Sequence, residues 1–275
     1  MSDSKSPKRV LVVTYNFPPV GGAGVQRVTK FVKYLPQFGW DATVLTTENP
    51  SVPVYDESLL ADVPPQTVVV KARTLEPGYA LKRFVSASNA EPNQVTRSVS
   101  EGGRSMTSDG NSPSLTLRVR FMAAAKRALR GAANLLLQPD PQVLWNSRAI
   151  EAGLRILGQR THDAIFVTAP PFSSLLIGAE LARRTGLPLV LDYRDEWSIS
   201  NSYLENKRLG WLSRTWQQHQ QSLCVRAASA LVATTRHSAE SLQEVARASE
   251  CRPLVTHIYN GFDTADFHDG TSPLP

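Results

Sequence analysis

The sequence predicts an α/β domain built on a doubly wound, mostly parallel sheet. Short apolar runs typical of buried strands alternate with longer segments of helical periodicity along the chain. Proline and glycine clusters separate the two kinds of segment. The 275 residues are 41% hydrophobic and 20% charged, which is enough apolar sequence for a sizeable buried core.

The first strand–helix–strand unit shows the pattern most clearly. Residues 10–14 form a continuous apolar run and predict a buried strand. A glycine-rich turn follows, and apolar residues at helical spacing then predict a helix that ends near Gly39. Residues 42–46 predict the second strand, so the segment forms one βαβ unit.

The rest of the chain repeats this alternation. Further strands are predicted at 67–70, 164–168, 188–192, 230–234 and 254–258. Further helices are predicted at about 145–157, 173–184 and 209–228, and after Ser238, which is expected to cap the last one. In such sheets ligands bind at the carboxyl ends of the strands. We therefore expect the site where these ends meet, along residues 15–24, 168–173, 192–197 and 234–238 and at Asn260.

One domain is expected over residues 9–268, after a flexible N-terminus at residues 1–8. Residues 86–114 are rich in Ser, Asn, Gly and charge, which predicts a disordered surface insertion. No internal repeat is evident.

The glycine-rich turn after the first strand is the first candidate site. Gly21, Gly22 and Gly24 let the backbone approach a ligand, and the helix that follows presents N–H donors to an anion. Arg27 is a candidate phosphate partner. The same arginine replaces the third glycine of a dinucleotide fingerprint. A ligand-free tight turn remains the alternative interpretation.

A second candidate site follows the strand at 188–192. Asp192 and Asp195 can accept hydrogen bonds from sugar hydroxyls, and Arg194 can bind phosphate or hold Asp195. Trp197 offers a flat apolar face for a sugar ring. An internal arginine–aspartate pair that ties the loop to the sheet is the alternative, and both can hold.

Several motifs together resemble the N-terminal domain of GT-B glycosyltransferases of family 4. They occur in the family's order and span nearly the whole chain. They are the F-P-P-x-G-G-x-G-V-Q-R and K-F-x-K-Y-L-P-x-x-G-W runs within 15–40, Pro139-Asp140 with Trp145, 168–171, 192–197, and Tyr259-Asn-Gly-Phe-Asp263 with Phe267.

The resemblance implies one Rossmann-like half of a two-domain enzyme. Such an enzyme transfers sugar from a nucleotide-sugar, such as a UDP- or GDP-sugar, to a saccharide or lipid-linked acceptor, without a cofactor or essential metal. The N-terminal half mostly holds the acceptor, while the glycine-rich loop reaches the donor phosphates. Residues 269–275 are then a truncated linker to a missing C-terminal domain, and we expect the isolated chain to be inactive. No catalytic residue is assigned, and a role in cell-envelope polysaccharide synthesis is an expectation.

The net charge of +6 favours anionic partners. Residues 115–137 predict a basic amphipathic helix, interpreted either as a contact with an anionic membrane or as a solvated face. We expect a cytoplasmic protein, with peripheral contact at the inner face of the membrane as one alternative, because no apolar run is long enough to span it. No nucleic-acid-binding module is recognised.

Two other function classes stay open. One is a non-catalytic sugar-binding module, either truncated or one half of a split enzyme. The other is a nucleotide-dependent oxidoreductase, since Glu48 follows the second strand where a ribose-binding acid would lie.

Overall fold

All seven strands of the described residues run parallel in one sheet. The computed structural model describes residues 6–76, 137–197 and 210–266. The strand order is β3-β2-β1-β4-β5-β6-β7, and every neighbouring pair is parallel. The strands are β1 (Lys8–Val13), β2 (Trp40–Thr47), β3 (Val68–Ala72), β4 (Ala164–Ala169), β5 (Leu189–Tyr193), β6 (Ala230–Ala233) and β7 (Leu254–His257). The predicted doubly wound parallel sheet is confirmed.

Five α-helices connect these strands within the described part of the chain. They are α1 (Ala23–Tyr34), α2 (Asn146–Gln159), α3 (Ser173–Thr185), α4 (Trp211–Ala227) and α5 (Arg236–Ala248). The strand order reverses between β1 and β4, which lie side by side. In open α/β sheets this switch point leaves a crevice at the carboxyl ends of the two strands, because their connections leave in opposite directions.

The two faces of the sheet carry separate apolar clusters. Leu11 and Val13 of β1 belong to the larger cluster, together with buried residues of α2, α3, α4 and α5. Val10 and Val12 point to the opposite face and pack with Val28 and other residues of α1. Side chains alternate between faces because a strand repeats every two residues.

The ends of three helical segments test the local predictions. Gly39 and Gly186 both have positive φ, 75° and 72°, and close the helical segments before them as expected. The capping prediction at Ser238 is wrong. Thr235 is the N-cap, because its hydroxyl oxygen accepts a hydrogen bond from the Ser238 N–H at 3.0 Å, and α5 begins at Arg236.

Several predictions fall on residues that the structure does not describe. They are the disordered insertion at 86–114, nearly all of the basic helix at 115–137, and the linker at 269–275. Tertiary contacts divide the chain into one unit of 1–78 with 138–275 and a second of 79–137. Among the described residues, no helix combines the length and apolar character needed to cross a bilayer.

Gly178 provides a test of how tightly α3 packs on β4. A Cβ at this position would lie 2.4 Å from Cγ2 of Val167. Gly178→Ala should therefore lower the free energy of unfolding by about 1–3 kcal/mol. Gly158→Ala is the matched control, because nothing lies within 4 Å of its added Cβ. This variant should leave stability unchanged or raise it by about 0.5–1 kcal/mol. Equal urea midpoints for Gly178→Ala and Gly158→Ala would contradict the tight packing of α3 on β4.

Candidate functional site

A cavity of about 1350 Å³ runs along the sheet face that carries α1 and reaches the loops at the carboxyl ends of the strands. Its polar part is lined by the loops that follow β1, β4, β5 and β7, so it lies at the switch point. The cavity brings together five of the nine predicted site residues, namely Gly24, Arg27, Arg194, Asp195 and Asn260. Gly21, Gly22, Asp192 and Trp197 lie outside its lining.

The three glycines of the turn differ in what surrounds them. A Cβ at Gly21 would lie 2.9 Å from Cγ1 of Val54, and one at Gly24 would lie 3.0 Å from Nη1 of Arg194. Gly22 has nothing within 4 Å, but its φ of +100° is strained for other residues. Close packing thus accounts for two of the glycines, and backbone conformation for the third.

Arg27 and Asp192 form a buried ion pair that joins three elements. The Arg27 side chain is 8% exposed and that of Asp192 is 0% exposed, with 2.8 Å between Nη2 and Oδ1. Arg27 Nε also donates to both carboxylate oxygens, at 3.2 and 3.1 Å. The Thr168 hydroxyl donates to Asp192 at 2.8 Å. Arg27 Nη1 donates to the Ile258 carbonyl at 2.9 Å and to the Asn260 side-chain oxygen at 3.1 Å.

These contacts bring together three residues that the sequence marked as ligand-binding. In the described conformation the Arg27 guanidinium donates to protein acceptors on every side. Asp192 is enclosed, whereas Asn260 remains exposed at the cavity. The roles of Arg27 and Asp192 in phosphate or acceptor binding stay predictions. What the structure shows is that they align α1, β5 and the segment after β7.

Arg194 binds backbone oxygens on both sides of the switch point. Its guanidinium donates to the carbonyls of Gly24 and Pro170, and Nε donates to the carbonyl of Ala169 at 3.2 Å. Burial lowers the pKa of Arg194, although an arginine remains charged at neutral pH. The neighbouring Asp195 is exposed and lines the cavity. Arg194 therefore ties the loop after β5 to the end of β4 and to the start of α1 through backbone carbonyls, whereas the alternative interpretation expected an arginine–aspartate pair.

Trp197 is a core residue in this structure. Only 3% of it is exposed, and its ring stacks on Phe172 with centroids 5.0 Å apart and planes at 24°. Its indole N–H donates to the side-chain oxygen of Gln217 on α4 at 3.3 Å. A sugar ring can stack only on an accessible face. The described conformation offers no such face at Trp197, so the predicted stacking role is not accommodated there.

Sequence reasoning missed a polar cluster in one wall of the cavity. The Tyr15 hydroxyl donates to the Glu76 carboxylate, and the Gln142 amide donates to the other Glu76 oxygen at 2.9 Å. Burial and the hydrogen bond to Glu76 raise the pKa of Tyr15 well above its usual value. The cluster keeps Tyr15 neutral and commits its hydroxyl proton to Glu76. Glu76 carries no sequence signal, because its partners lie far away along the chain.

Two buried side-chain oxygens of residues that line the cavity have no hydrogen-bond partner among the described residues. They are the side-chain oxygens of Asn16 and Ser51, both buried as atoms, and both residues line the cavity. Buried polar atoms in proteins are almost always hydrogen-bonded, so an unpaired one needs an explanation. Each of these two oxygens exposes less than 1 Å² of surface, so a ligand in the cavity would reach them only if neighbouring side chains moved.

An ion-pair cluster, which we name the clasp, fixes the segment after β7 to α1. Lys30 lies 2.6 Å from Asp62, 2.9 Å from Asp263 and 2.6 Å from Asp266. Lys33 lies 2.7 Å from Asp62 and 2.7 Å from Asp263. The three carboxylates lie close enough together to hold a metal ion. The two ammonium groups already compensate their charge, so this geometry by itself points to an anchor.

Removal of charge from the buried pair should be costly. Asp192→Asn keeps the size of the side chain but leaves the Arg27 guanidinium without a carboxylate. We expect the free energy of unfolding to fall by about 3–5 kcal/mol, because the other charge stays buried. Glu180→Gln is the control, since it removes only the surface pairs with Arg183 and Arg184. It should cost under about 1 kcal/mol. If urea unfolding showed similar losses of unfolding free energy for Asp192→Asn and Glu180→Gln, the Arg27–Asp192 pair would not be insulated from solvent.

The clasp should give stability a pH dependence with a defined sign. Hydrogen bonds from Lys33, Lys30 and Tyr34 hold the pKa of Asp263 well below its usual value of 3.8. Stability from this carboxylate is present above pH 3.8 and is lost as the pH falls through its lower folded value. Hydrogen bonds to Asp263 and Asp62 raise the pKa of Lys33 above 10.5, so its contribution is lost only at higher pH.

Asp263→Asn tests this dependence. The variant should be less stable than the parent chain at neutral pH. The difference should shrink below pH 3.8, because the unfolded parent then binds a proton that the folded parent takes up only at lower pH. Urea unfolding across this range measures the difference. Glu151→Gln, at a carboxylate whose side chain is 73% exposed, should show little difference at any pH. If the difference in stability between Asp263→Asn and the parent stayed constant with pH, a charge effect would be ruled out.

The fold also occurs in solved structures of larger proteins. No protein-family model matches the chain, and no curated protein matches it. A UDP-glucosyltransferase from Polygonum tinctorium, described as capable of glucosylating indoxyl, is 12% identical with a TM-score of 0.50, over 98% of this chain and 56% of that chain. Medicago truncatula UGT71G1, complexed with UDP-glucose, is 12% identical with a TM-score of 0.46, over 95% of this chain and 53% of that chain. Anabaena HepE, in complex with UDP-glucose, is 12% identical with a TM-score of 0.45, over 96% of this chain and 47% of that chain.

The chain thus spans about half the length of the solved structures it matches. At this identity the first match shows a shared fold. The predicted class, a Rossmann-like α/β sheet of the GT-B architecture, is confirmed.

Proposed function

We propose that this chain is the acceptor-side part of a glycosyltransferase of the family 4 kind. It takes part in transfer of a sugar from a nucleotide-sugar, such as a UDP- or GDP-sugar, to a saccharide or lipid-linked acceptor. The observation that carries the proposal is the cavity at the switch point. There the exposed start of α1 and the exposed Asp195 line the same space. Parts of the family 4 motifs line this cavity, among them Gly24, Pro170, Pro171, Arg194 and residues 259–263.

The start of α1 is suited to the donor phosphates. Ala23, Gly24 and Gln26 line the cavity, and all three are exposed. The first N–H groups of a helix lack intrahelical partners, and the helix dipole adds partial positive charge there. Negative charge develops on the departing nucleotide phosphate during sugar transfer, and donors fixed in advance stabilise it. No metal or protein cofactor is part of the proposal.

Other residues of the cavity lining are suited to an acceptor. Asp195 is exposed there, and its carboxylate can accept hydrogen bonds from sugar hydroxyls. Gln142 lines the same cavity and is held by Glu76. No general base is assigned, because the departing phosphate can take the acceptor proton in a retaining transfer of the kind that the resemblance implies.

A donor-binding half completes the proposed enzyme. It would follow in a longer chain or come from a separate partner, and the isolated chain is then expected to be inactive. The match to about half of a UDP-glucosyltransferase supports this division.

A donor screen tests the proposed function. UDP or GDP release would be measured with the isolated chain and with a C-terminally extended protein, over a panel of nucleotide-sugars and acceptors. We expect acceptor-dependent release from the extended protein only. Release by the isolated chain would contradict the division into halves. Binding of saccharides without turnover in the extended protein would favour a non-catalytic module, and titratable NAD(P)H binding would favour an oxidoreductase.

The role of the α1 start is tested separately at Ala23. Ala23→Glu places negative charge where the donor phosphates are proposed to bind, while an acid in the first turn suits the helix dipole. In the extended protein we expect KM for the nucleotide-sugar to rise about tenfold or more, as like charges repel. Ala23→Gln is the neutral control of equal size and should act nearly like the parent. Equal KM values for the two variants would exclude phosphate binding at this helix start.

A further inference from the structure

We propose that Arg194 is the specificity-determining residue that makes the cavity bind a phosphate group. This inference rests on the proposed function, because the phosphate would belong to a ligand of the same cavity. Among the described residues, three cationic side chains line the cavity, namely those of Arg27, Lys30 and Arg194. They differ in what compensates their charge.

Two of these cations already have carboxylate partners. Arg27 pairs with the enclosed Asp192, with 2.8 Å between Nη2 and Oδ1. Lys30 lies 2.6–2.9 Å from the three carboxylates of the clasp. In the described part of the chain, by contrast, no carboxylate forms an ion pair with Arg194, whose guanidinium donates to uncharged carbonyl groups. Within these residues, the charge of Arg194 is therefore the one that a ligand can pair with.

The Arg194 guanidinium is held in place at the switch point. Its bonds to carbonyl oxygens reach Ala169 and Pro170 at the end of β4 and Gly24 in the first turn of α1. The Arg194 backbone N–H donates to the Ala169 carbonyl at 2.9 Å, and the Thr234 hydroxyl donates to the Arg194 carbonyl at 3.0 Å. Both the backbone and the side chain are thus positioned in advance, which lowers the entropic cost of binding a ligand.

Part of the guanidinium remains available to a ligand. An arginine carries five N–H donors. Three are engaged, one each on Nε, Nη1 and Nη2, which leaves two. The side chain is half-buried and lines the cavity. Its Nη1 atom lies 3.0 Å from the position that a Cβ of Gly24 would occupy, so the absence of a side chain at Gly24 leaves room for the guanidinium beside the first turn of α1.

The surroundings of Arg194 favour a phosphate over a carboxylate. Helix α1 has no acidic residue in its first turn and no side chain that caps its start. The first N–H groups of a helix lack intrahelical partners, so a group bound to Arg194 beside Gly24 can also accept from them. A phosphate has three strong acceptor oxygens that point in different directions, whereas a carboxylate has two in one plane. A phosphate can therefore meet the guanidinium and the helix start together.

The protein alone leaves the charge of Arg194 incompletely stabilised. Burial lowers the pKa of Arg194, and this effect outweighs the attraction of Asp192 and Asp195. Asp192 is already paired with Arg27, and Asp195 is exposed, so solvent weakens its field. An arginine remains charged at neutral pH, and an anionic group in contact with it would offset the cost of burial.

Calorimetric titration of the full chain tests the proposal. The probes are inorganic phosphate, UDP and glucose 6-phosphate, which share a phosphate group. We expect Arg194→Gln to weaken binding about tenfold or more, because charge-assisted hydrogen bonds are lost. Arg194→Lys keeps the charge without the planar fork and should lose less. Tightest binding of UDP would support the donor as the source of the phosphate, and tightest binding of glucose 6-phosphate would support a phosphorylated acceptor.

Arg155→Gln is the matched control, because it removes a positive charge from a side chain that is 60% exposed and paired with Glu151. It should bind the probes as the parent does, and circular dichroism would verify that the variants fold. If Arg194→Gln does not fold, Asp195→Asn carries the test. Removal of the exposed negative charge beside Arg194 should tighten binding of inorganic phosphate about twofold to fivefold at low ionic strength.

Equal dissociation constants for the parent and a folded Arg194→Gln would overturn the proposal. Unchanged affinity in Asp195→Asn, or no binding of any probe by the parent, would do the same. The glycosyltransferase function fails in a different way. Phosphate binding at Arg194 without UDP or GDP release in the donor screen would contradict that function and leave phosphate binding intact. Release by the extended protein with unchanged KM for both substrates in Arg194→Gln would contradict the role of Arg194 alone.

Discussion

The arrangement of the cavity depends on the buried pair between Arg27 and Asp192. Asp192 ends up fully enclosed at the carboxyl end of β5, and Arg27 reaches it from α1 on the far side of the switch point. Such a pair is weak evidence for stability, because desolvation offsets most of the attraction. The role of the pair in this protein is to fix the relative positions of the elements that it joins. The planar guanidinium can satisfy the carboxylate and two oxygens after β7 only when α1, β5 and that segment are correctly placed.

Two further sets of contacts complete this arrangement. Arg194 binds carbonyls after β4 and at the start of α1, and the clasp binds the segment after β7 to the other end of α1. Many charged residues around the cavity therefore act on the protein itself. Apart from Arg194, the residues proposed to meet the donor phosphates are less conspicuous ones, namely Ala23, Gly24 and Gln26 at the start of α1.

The fold could be predicted almost completely from the sequence, whereas the roles of individual residues could not. Apolar runs and helical spacing are local properties, and they located every strand of the described sheet to within a few residues. The burial of Trp197 depends on Phe172 and Gln217, and the role of Glu76 depends on Tyr15 and Gln142, all distant in sequence. Thr235 displaced Ser238 as the helix cap because both hydroxyl residues suit that role and only the backbone path selects between them.

The clasp has a mechanical consequence. Helix α1 has 12 residues, about 18 Å at 1.5 Å per residue, and behaves as a short stiff rod. One end carries the glycine-rich turn, and the other is fastened by Lys30 and Lys33 to the stretch of chain that leaves the sheet after β7. A force on that stretch would displace α1 as a whole, and the turn would move with it. Movement of the chain that follows residue 266 would thus be felt at the glycine-rich turn.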